Sequence, residues 1–181
     1  SYTLVVQDDS LCTDTLIIPI TEPDSLVLQV DSVRHVDCWS NSTAELQFHA
    51  EGGTLPYFYS LSNGMNSSTP VFSGLPAGIY TLLVQDDSSC IDSLQLTITE
   101  PDELTASIGI HRNVACHGDS SGEVEILAVG GTLPYEYSIN GSVFGASNII
   151  GNLPSGSHTI TVRDSQACTF DVSFLIEEPE R

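Results

Sequence analysis

One run of residues occurs twice, and the interval between its occurrences limits what the chain can fold into. Gly52-Gly53-Thr54-Leu55-Pro56-Tyr57-Phe58-Tyr59-Ser60 returns 78 residues later as Gly130-Gly131-Thr132-Leu133-Pro134-Tyr135-Glu136-Tyr137-Ser138. The same offset, without a gap, carries Cys38 to Cys116, Cys12 to Cys90 and Cys168, and Thr21-Glu22-Pro23-Asp24 to Thr99-Glu100-Pro101-Asp102. The chain therefore reads as the end of one repeat (1–23) followed by two complete repeats (24–101 and 102–181). A residue that recurs in every copy usually serves the fold of the unit, so periodicity is settled before any motif is given a chemical role.

A unit of this size buries only about 60% of the surface its unfolded chain exposes. Reinforcement by disulfides, ions or neighbouring units is therefore expected. Apolar and polar residues alternate with period two through most of each copy, the pattern of half-buried strands. Strand A is read at Leu26, Leu28 and Val30, strand B at Leu46, Phe48 and Ala50, and strand C at Tyr57 and Tyr59. Strand F follows Leu75-Pro76-Ala77-Gly78-Ile79-Tyr80 with Tyr80, Leu82 and Val84 inward, and strand G has Leu94, Leu96 and Ile98. The polar spans 62–73 and 140–152 differ most between the copies and are read as loops with a short strand. Short strands with turn signals every 8 to 12 residues describe an immunoglobulin-like sandwich. The expected fold is all-β: tandem immunoglobulin-like (fibronectin III/PKD-like) β-sandwich repeats in an extended rod. The Leu-x-x-Gly-x-Tyr entry to strand F resembles a tyrosine corner. His158 takes the tyrosine's place in the last copy, so there the hydroxyl bond is lost or replaced by an imidazole.

Taken together, these motifs resemble the SprB repeat, a module iterated in large cell-surface adhesins of gliding Bacteroidota. The residues that carry the resemblance are Cys116-His117-Gly118-Asp119-Ser120-Ser121-Gly122, the Gly-Gly-Thr-Leu-Pro-Tyr-x-Tyr-Ser runs, Leu75 to Thr81, the Asp86 to Cys90 turn and Ile98-Thr99-Glu100-Pro101. The first full copy departs at Cys38-Trp39-Ser40-Asn41, where the family has a glycine two residues after the cysteine. The resemblance implies an outer-surface protein exported by the type IX route, acting in adhesion, surface filaments or gliding motility. It implies no catalytic activity.

Composition narrows the partners. Four basic residues against 24 acidic ones give a formal charge of -20. This argues against nucleic acid and anionic membranes, whose binding is driven by Lys and Arg. No run of about 20 apolar residues would span a membrane, and no basic segment with an apolar core marks a signal peptide. The sequence reads as an interior slice of a longer, extracellular protein on a bacterial surface. Five cysteines at matched positions point to an oxidising compartment. Expected partners are neighbouring repeats of the same chain, with surface polysaccharide or other fibres as further candidates.

Three arrangements of the cysteines stand open. Pairing within each copy would join Cys38 to Cys90 and Cys116 to Cys168. In an immunoglobulin-like sandwich, however, the A-B and F-G turns lie at opposite ends of a strand about 26 Å long, whereas bridged Cα atoms stand within about 7 Å. Head-to-tail repeats would instead bring Cys38 to Cys168, leaving Cys12, Cys90 and Cys116 with partners outside the segment. Free buried thiols are the third arrangement. Calcium is the one candidate cofactor. Asp8, Asp86, Asp87 and Asp164 in the F-G turns, with Glu22, Asp24, Glu100 and Asp102 at the linker prolines, could supply its six to eight oxygens at repeat junctions. Their spacing matches no compact calcium loop, and turn-forming Asp is the plainer reading. Asp-Ser/Thr-apolar triplets that resemble the O-glycosylation sequon of Bacteroidota make Ser10, Thr15, Ser25, Ser32 and Ser93 candidate acceptors.

The five histidines fall at five different repeat positions, so they form no ligand set. No nucleophile elbow, phosphate loop or Cys-His dyad is present, and the chain is read as no enzyme. Trp39 is read as covering the disulfide or the junction, with sugar stacking as its other reading. The functional expectation is a stalk or fibre segment of an adhesin. The alternative is a carbohydrate-binding module of a secreted hydrolase, which would need aromatic residues exposed in a line; Trp39, Phe72 and Phe144 are its candidates.

Overall fold

The computed structural model describes residues 1–180. Arg181, the last residue of the third expected unit, lies outside the described residues. Fifteen strands and no helix make up the described chain, so the expected all-β class is borne out. β1 (Tyr2–Gln7) and β2 (Thr13–Ile18) form an antiparallel hairpin. The first full copy supplies β3 (Val27–Arg34), β4 (Ala44–Glu51), β5 (Phe58–Leu61), β6 (Asn66–Ser67), β7 (Val71–Leu75), β8 (Gly78–Gln85) and β9 (Ile91–Ile98). The second supplies β10 (Thr105–Arg112), β11 (Gly122–Val129), β12 (Glu136–Ile139), β13 (Ile149–Leu153), β14 (Gly156–Arg163) and β15 (Thr169–Ile176).

Sheet order repeats with the sequence. β3-β4-β7 and β6-β5-β8-β9 in the first full copy correspond to β10-β11-β13 and β12-β14-β15 in the second. In letters, A (β3, β10), B (β4, β11) and an edge strand E (β7, β13) thus share one sheet, and C (β5, β12), F (β8, β14) and G (β9, β15) share the other, which is the immunoglobulin-like arrangement. Alternation sets the core. In the second copy Val124, Ile126, Ile160, Val162 and Ile176 are buried together with Leu104, Val114, Tyr137 and Leu153. In the first, Leu46, Phe48, Leu82, Val84 and Ile98 are fully buried, and Phe48 meets Tyr59 edge to face at 4.8 Å. At roughly 1.5 to 3 kcal/mol for each fully buried large apolar side chain, such positions are the main favourable term in a small sandwich. The β1–β2 hairpin shows the same alternation, but Tyr2, Leu4 and Val6 are exposed, and among the described residues no third strand pairs with it.

The recurrent Gly-Gly pair is required by close approach. A Cβ on Gly52 would stand 2.1 Å from the Ser25 carbonyl oxygen, and one on Gly130 would stand 1.9 Å from that of Glu103. Both glycines also have positive φ, 73° and 78°. The pair therefore lets the chain leaving strand B lie against the segment that enters strand A. Gly53 N–H donates to the Asp24 carbonyl at 2.7 Å, and Gly131 N–H to that of Asp102 at 2.8 Å. The Leu55–Pro56 and Leu133–Pro134 bonds that follow are cis.

Compactness follows a different division from periodicity. One compact unit comprises Ser1–Ser32, Gln47–Val71 and Tyr80–Leu96. The other comprises Val33–Leu46, Phe72–Ile79 and the chain from Thr97 onward. The second unit thus unites the whole of the last copy with the A-B end of the copy before it.

Candidate functional site

The F-G turn is built the same way three times. Asp8, Asp86 and Asp164 each donate a backbone N–H to the carbonyl of the cysteine four residues on, at 3.0 Å in all three. Each also accepts that cysteine's N–H on Oδ1, at 2.9, 2.7 and 2.9 Å. The residue before the cysteine is left-handed in every copy: Leu11, Ser89 and Ala167 have φ of 68°, 68° and 67°. In the two full copies Oδ2 accepts the N–H of Thr54 or Thr132, both at 2.8 Å. Asp86 and Asp164 are each only 3% exposed. A buried carboxylate is tolerable only when its oxygens are satisfied, and here the donors tie the F-G turn to the Gly-Gly-Thr turn.

The A-B loop is also built twice. The carbonyls of Cys38 and Cys116 accept the N–H groups of Asn41 and Asp119, both at 3.1 Å. The glutamate of each Glu-Pro pair reaches across to the second residue after the cysteine. Glu100 accepts from Ser40 N–H at 2.6 Å, and Glu178 from Gly118 N–H at 3.0 Å. That bond holds the Glu178 carboxyl below its usual range, and His117, 3.3 Å away, adds to the effect. Ser40, where the glycine of the resemblance is missing, adopts φ 62° beside the 77° of Gly118. The departure therefore leaves the loop's shape unchanged. In the first copy Asp37 adds a cluster: its Oδ1 accepts from Cys38 N–H, Thr43 Oγ1 and Asn41 Nδ2. Those side-chain bonds, Thr43 first, lower its pKa.

These two turns meet in a covalent bond. Cys38 and Cys168, 130 positions apart in sequence, form a disulfide with Cα atoms 5.7 Å apart. It joins the A-B loop of one copy to the F-G turn of the next. The within-copy pairs Cys38–Cys90 and Cys116–Cys168 are not formed, since Cys12, Cys90 and Cys116 are free. Nor are these free thiols buried, as the third reading had them; all three are exposed. The Cys168 Sγ lies 3.4 Å from the Asp37 carbonyl oxygen. Trp39, 49% exposed, borders an open cavity of about 370 Å³ that both cysteines, Glu103 and Phe170 also line.

Other expected site residues fall out differently. Among the described residues no group of three or more His, Cys, Asp or Glu side chains gathers in a way that could hold a metal ion. The carboxylates of Asp8, Asp86, Asp164 and Glu100 are committed to backbone donors in the turns, while Asp24 and Asp102 serve through their carbonyls. Asp87 N–H donates to the Thr54 carbonyl, and Glu22 is exposed. Ser10, Thr15, Ser25, Ser32 and Ser93 are all exposed. The aromatic line does not form: Phe72 is 3% exposed, and Phe144 lies under the Arg163 guanidinium, 3.9 Å from its ring centre. Sequence reasoning missed the glutamate-to-loop bond, although Glu-Pro recurring with each Cys loop was a signal for it. His158 answers the tyrosine-corner question. It is buried, its Nε2–H donates to the Pro154 carbonyl at 2.9 Å, and Nδ1 accepts from Asn140.

The geometry thus defines a class: immunoglobulin-like repeats whose shared turns form a cystine between successive copies. Comparison with known proteins sharpens this. The SprB repeat model matches residues 110–144, from the end of β10 through Cys116 and the second Gly-Gly-Thr-Leu-Pro-Tyr run, so the resemblance carried by those motifs is borne out. No curated protein matches the chain. Among solved structures it aligns with the three N-terminal domains of the bacteriophage RB49 highly immunogenic outer capsid protein (Hoc), at 18% identity and TM-score 0.46 over 83% of this chain and 59% of that one. It also aligns with a C-terminal fragment of intimin in complex with the intimin-binding domain of its translocated receptor, at 14% identity and TM-score 0.42 over 83% of this chain and 63% of that one. A third is the Clostridium thermocellum CbhA fibronectin(III)-like modules, at 11% identity and TM-score 0.36 over 84% and 95%. The chain spans less than two thirds of the first two.

Proposed function

We propose that the chain is a stalk segment of a bacterial cell-surface adhesin, a non-catalytic run of repeats that carries load and extends reach. The observation that carries this reading is the Cys38–Cys168 disulfide, because a bond from one copy to the next resists separation of the copies under tension. The SprB repeat match supports a cell-surface setting. Export by the type IX route, a part in gliding or filaments, and O-glycans on the five exposed hydroxyls all belong to this proposal. The carbohydrate-module alternative is less well supported, since Phe72 is buried and Phe144 lies under Arg163, which leaves Trp39 as its exposed candidate.

The test pairs surface exposure with binding. Antibody raised against this chain is expected to label intact cells, and brief protease treatment of the cells is expected to remove the label. The purified chain is expected not to co-sediment with insoluble polysaccharides. Label found only after cell lysis would overturn the surface reading, and saturable polysaccharide binding would return the carbohydrate module to first place.

A further inference from the structure

We propose that the Cys38–Cys168 bond is one rung of a continuing disulfide ladder, in which Cys116 is the receptor for the F-G cysteine of a following repeat and Cys90 is the donor to the A-B cysteine of a preceding one. This rests on the stalk reading, since it needs further repeats on either side. It is argued from two half-sites whose backbone hydrogen bonds recur from copy to copy.

Cys116 sits in the same loop as Cys38. Each carbonyl accepts from the third residue on, each loop is held by the glutamate of the Glu-Pro pair, and Ser40 and Gly118 share the left-handed conformation. Cys90 and Cys12 sit in the turn of Cys168, with the same aspartate bonds and the same left-handed residue before them. The half-sites share this backbone frame, the Asp37 cluster and Trp39 being particular to the bonded A-B loop, and the three unbonded thiols are exposed to receive a partner. Each new rung forms by oxidation of two thiols to one S–S bond. Two protons and two electrons leave with it, accepted by an exchangeable disulfide that is reduced to two thiols.

The ladder has a mechanical consequence. The loop closed by each rung, 130 residues, is longer than the 78-residue period, so successive loops overlap and no backbone lies outside every loop. Along a covalent path, one rung ends at an F-G cysteine and the next begins at an A-B cysteine 26 residues on, as Cys116 follows Cys90. Only those 26 residues in every two periods can be drawn out by tension. Rungs of odd and even register give two such paths side by side, so loss of a single rung leaves the other path intact.

The test lengthens the whole chain by one repeat, adding a second copy of 102–179 after Pro179, and oxidises it with glutathione disulfide. The added repeat brings two cysteines, yet the number of free thiols in the denatured protein is expected to stay at the present three. In the lengthened chain carrying Cys116→Ser the second disulfide is expected to be lost, with Cys38–Cys168 kept. A rise of the free-thiol count to five, or a second disulfide that survives Cys116→Ser, would overturn the ladder. Neither result would bear on surface exposure or polysaccharide binding, so failure here is distinct from failure of the stalk reading.

Discussion

At the scale of single residues, the recurrent polar side chains act as fasteners for backbone turns. Asp164 accepts the N–H groups of Thr132, Gln166 and Cys168 from a buried position. Asp164→Ala strands those donors and is expected to cost about 2 to 4 kcal/mol, read as a lower denaturation midpoint with unchanged slope. Ser40 holds a left-handed conformation that costs a side-chain-bearing residue about 1 to 2 kcal/mol. Ser40→Gly relieves that strain while gaining unfolded-chain entropy, so a net stabilisation of about 0.5 kcal/mol is expected in the same measurement. Asp37 and Glu178 have carboxyls held below their ordinary pKa by hydrogen bonds to the ionised form. Their contribution to stability is therefore complete above the unfolded-state value and is lost as pH falls through the lowered folded one. Thermal scans on the acid side should show this, and Asp37→Asn together with Glu178→Gln should flatten the acid limb.

At the scale of elements, the period-two alternation made the strands and their inward faces legible, because burial on one face of a sheet leaves that mark directly in the sequence. Tyr80, Leu82 and Val84 were placed correctly for that reason. The Gly-Gly turn was legible as a turn, but its partner was not: the approach of Gly52 to Ser25 is a contact between distant segments that no local pattern encodes. The short strand expected in the divergent span 62–73 is present, but the inward direction of Phe72 was not legible, since that span lacks a clear alternation. The aligned aspartates were legible as turn formers, with calcium as the other reading, whereas the particular backbone donors that their carboxylates accept from could be seen only in three dimensions. Gly130→Ala tests the turn: its Cβ meets the Glu103 carbonyl and its φ is left-handed, so a loss of at least about 2 kcal/mol is expected in denaturant unfolding.

At the scale of the whole molecule, charge and covalent linkage decide behaviour. The three arginines within the described residues are each paired with a glutamate, Arg34–Glu45, Arg112–Glu123 and Arg163–Glu136, against a formal charge of -20. Most of the acidic surface thus repels itself. Raising salt from about 0.01 M to about 0.15 M shortens the screening length from about 30 to about 8 Å and is expected to raise the melting temperature. The disulfide closes a long loop, which favours the folded state by restricting the unfolded chain, by about 3 to 5 kcal/mol. Its larger effect is on extension. Pulling the chain by its two ends, one molecule at a time, is the most direct test that the turns exist to join one copy to the next. With the Cys38–Cys168 bond intact, full unfolding is expected to fall short of the reduced chain's length by the enclosed 130 residues, about 45 nm. The same final length in oxidised and reduced protein would contradict the account.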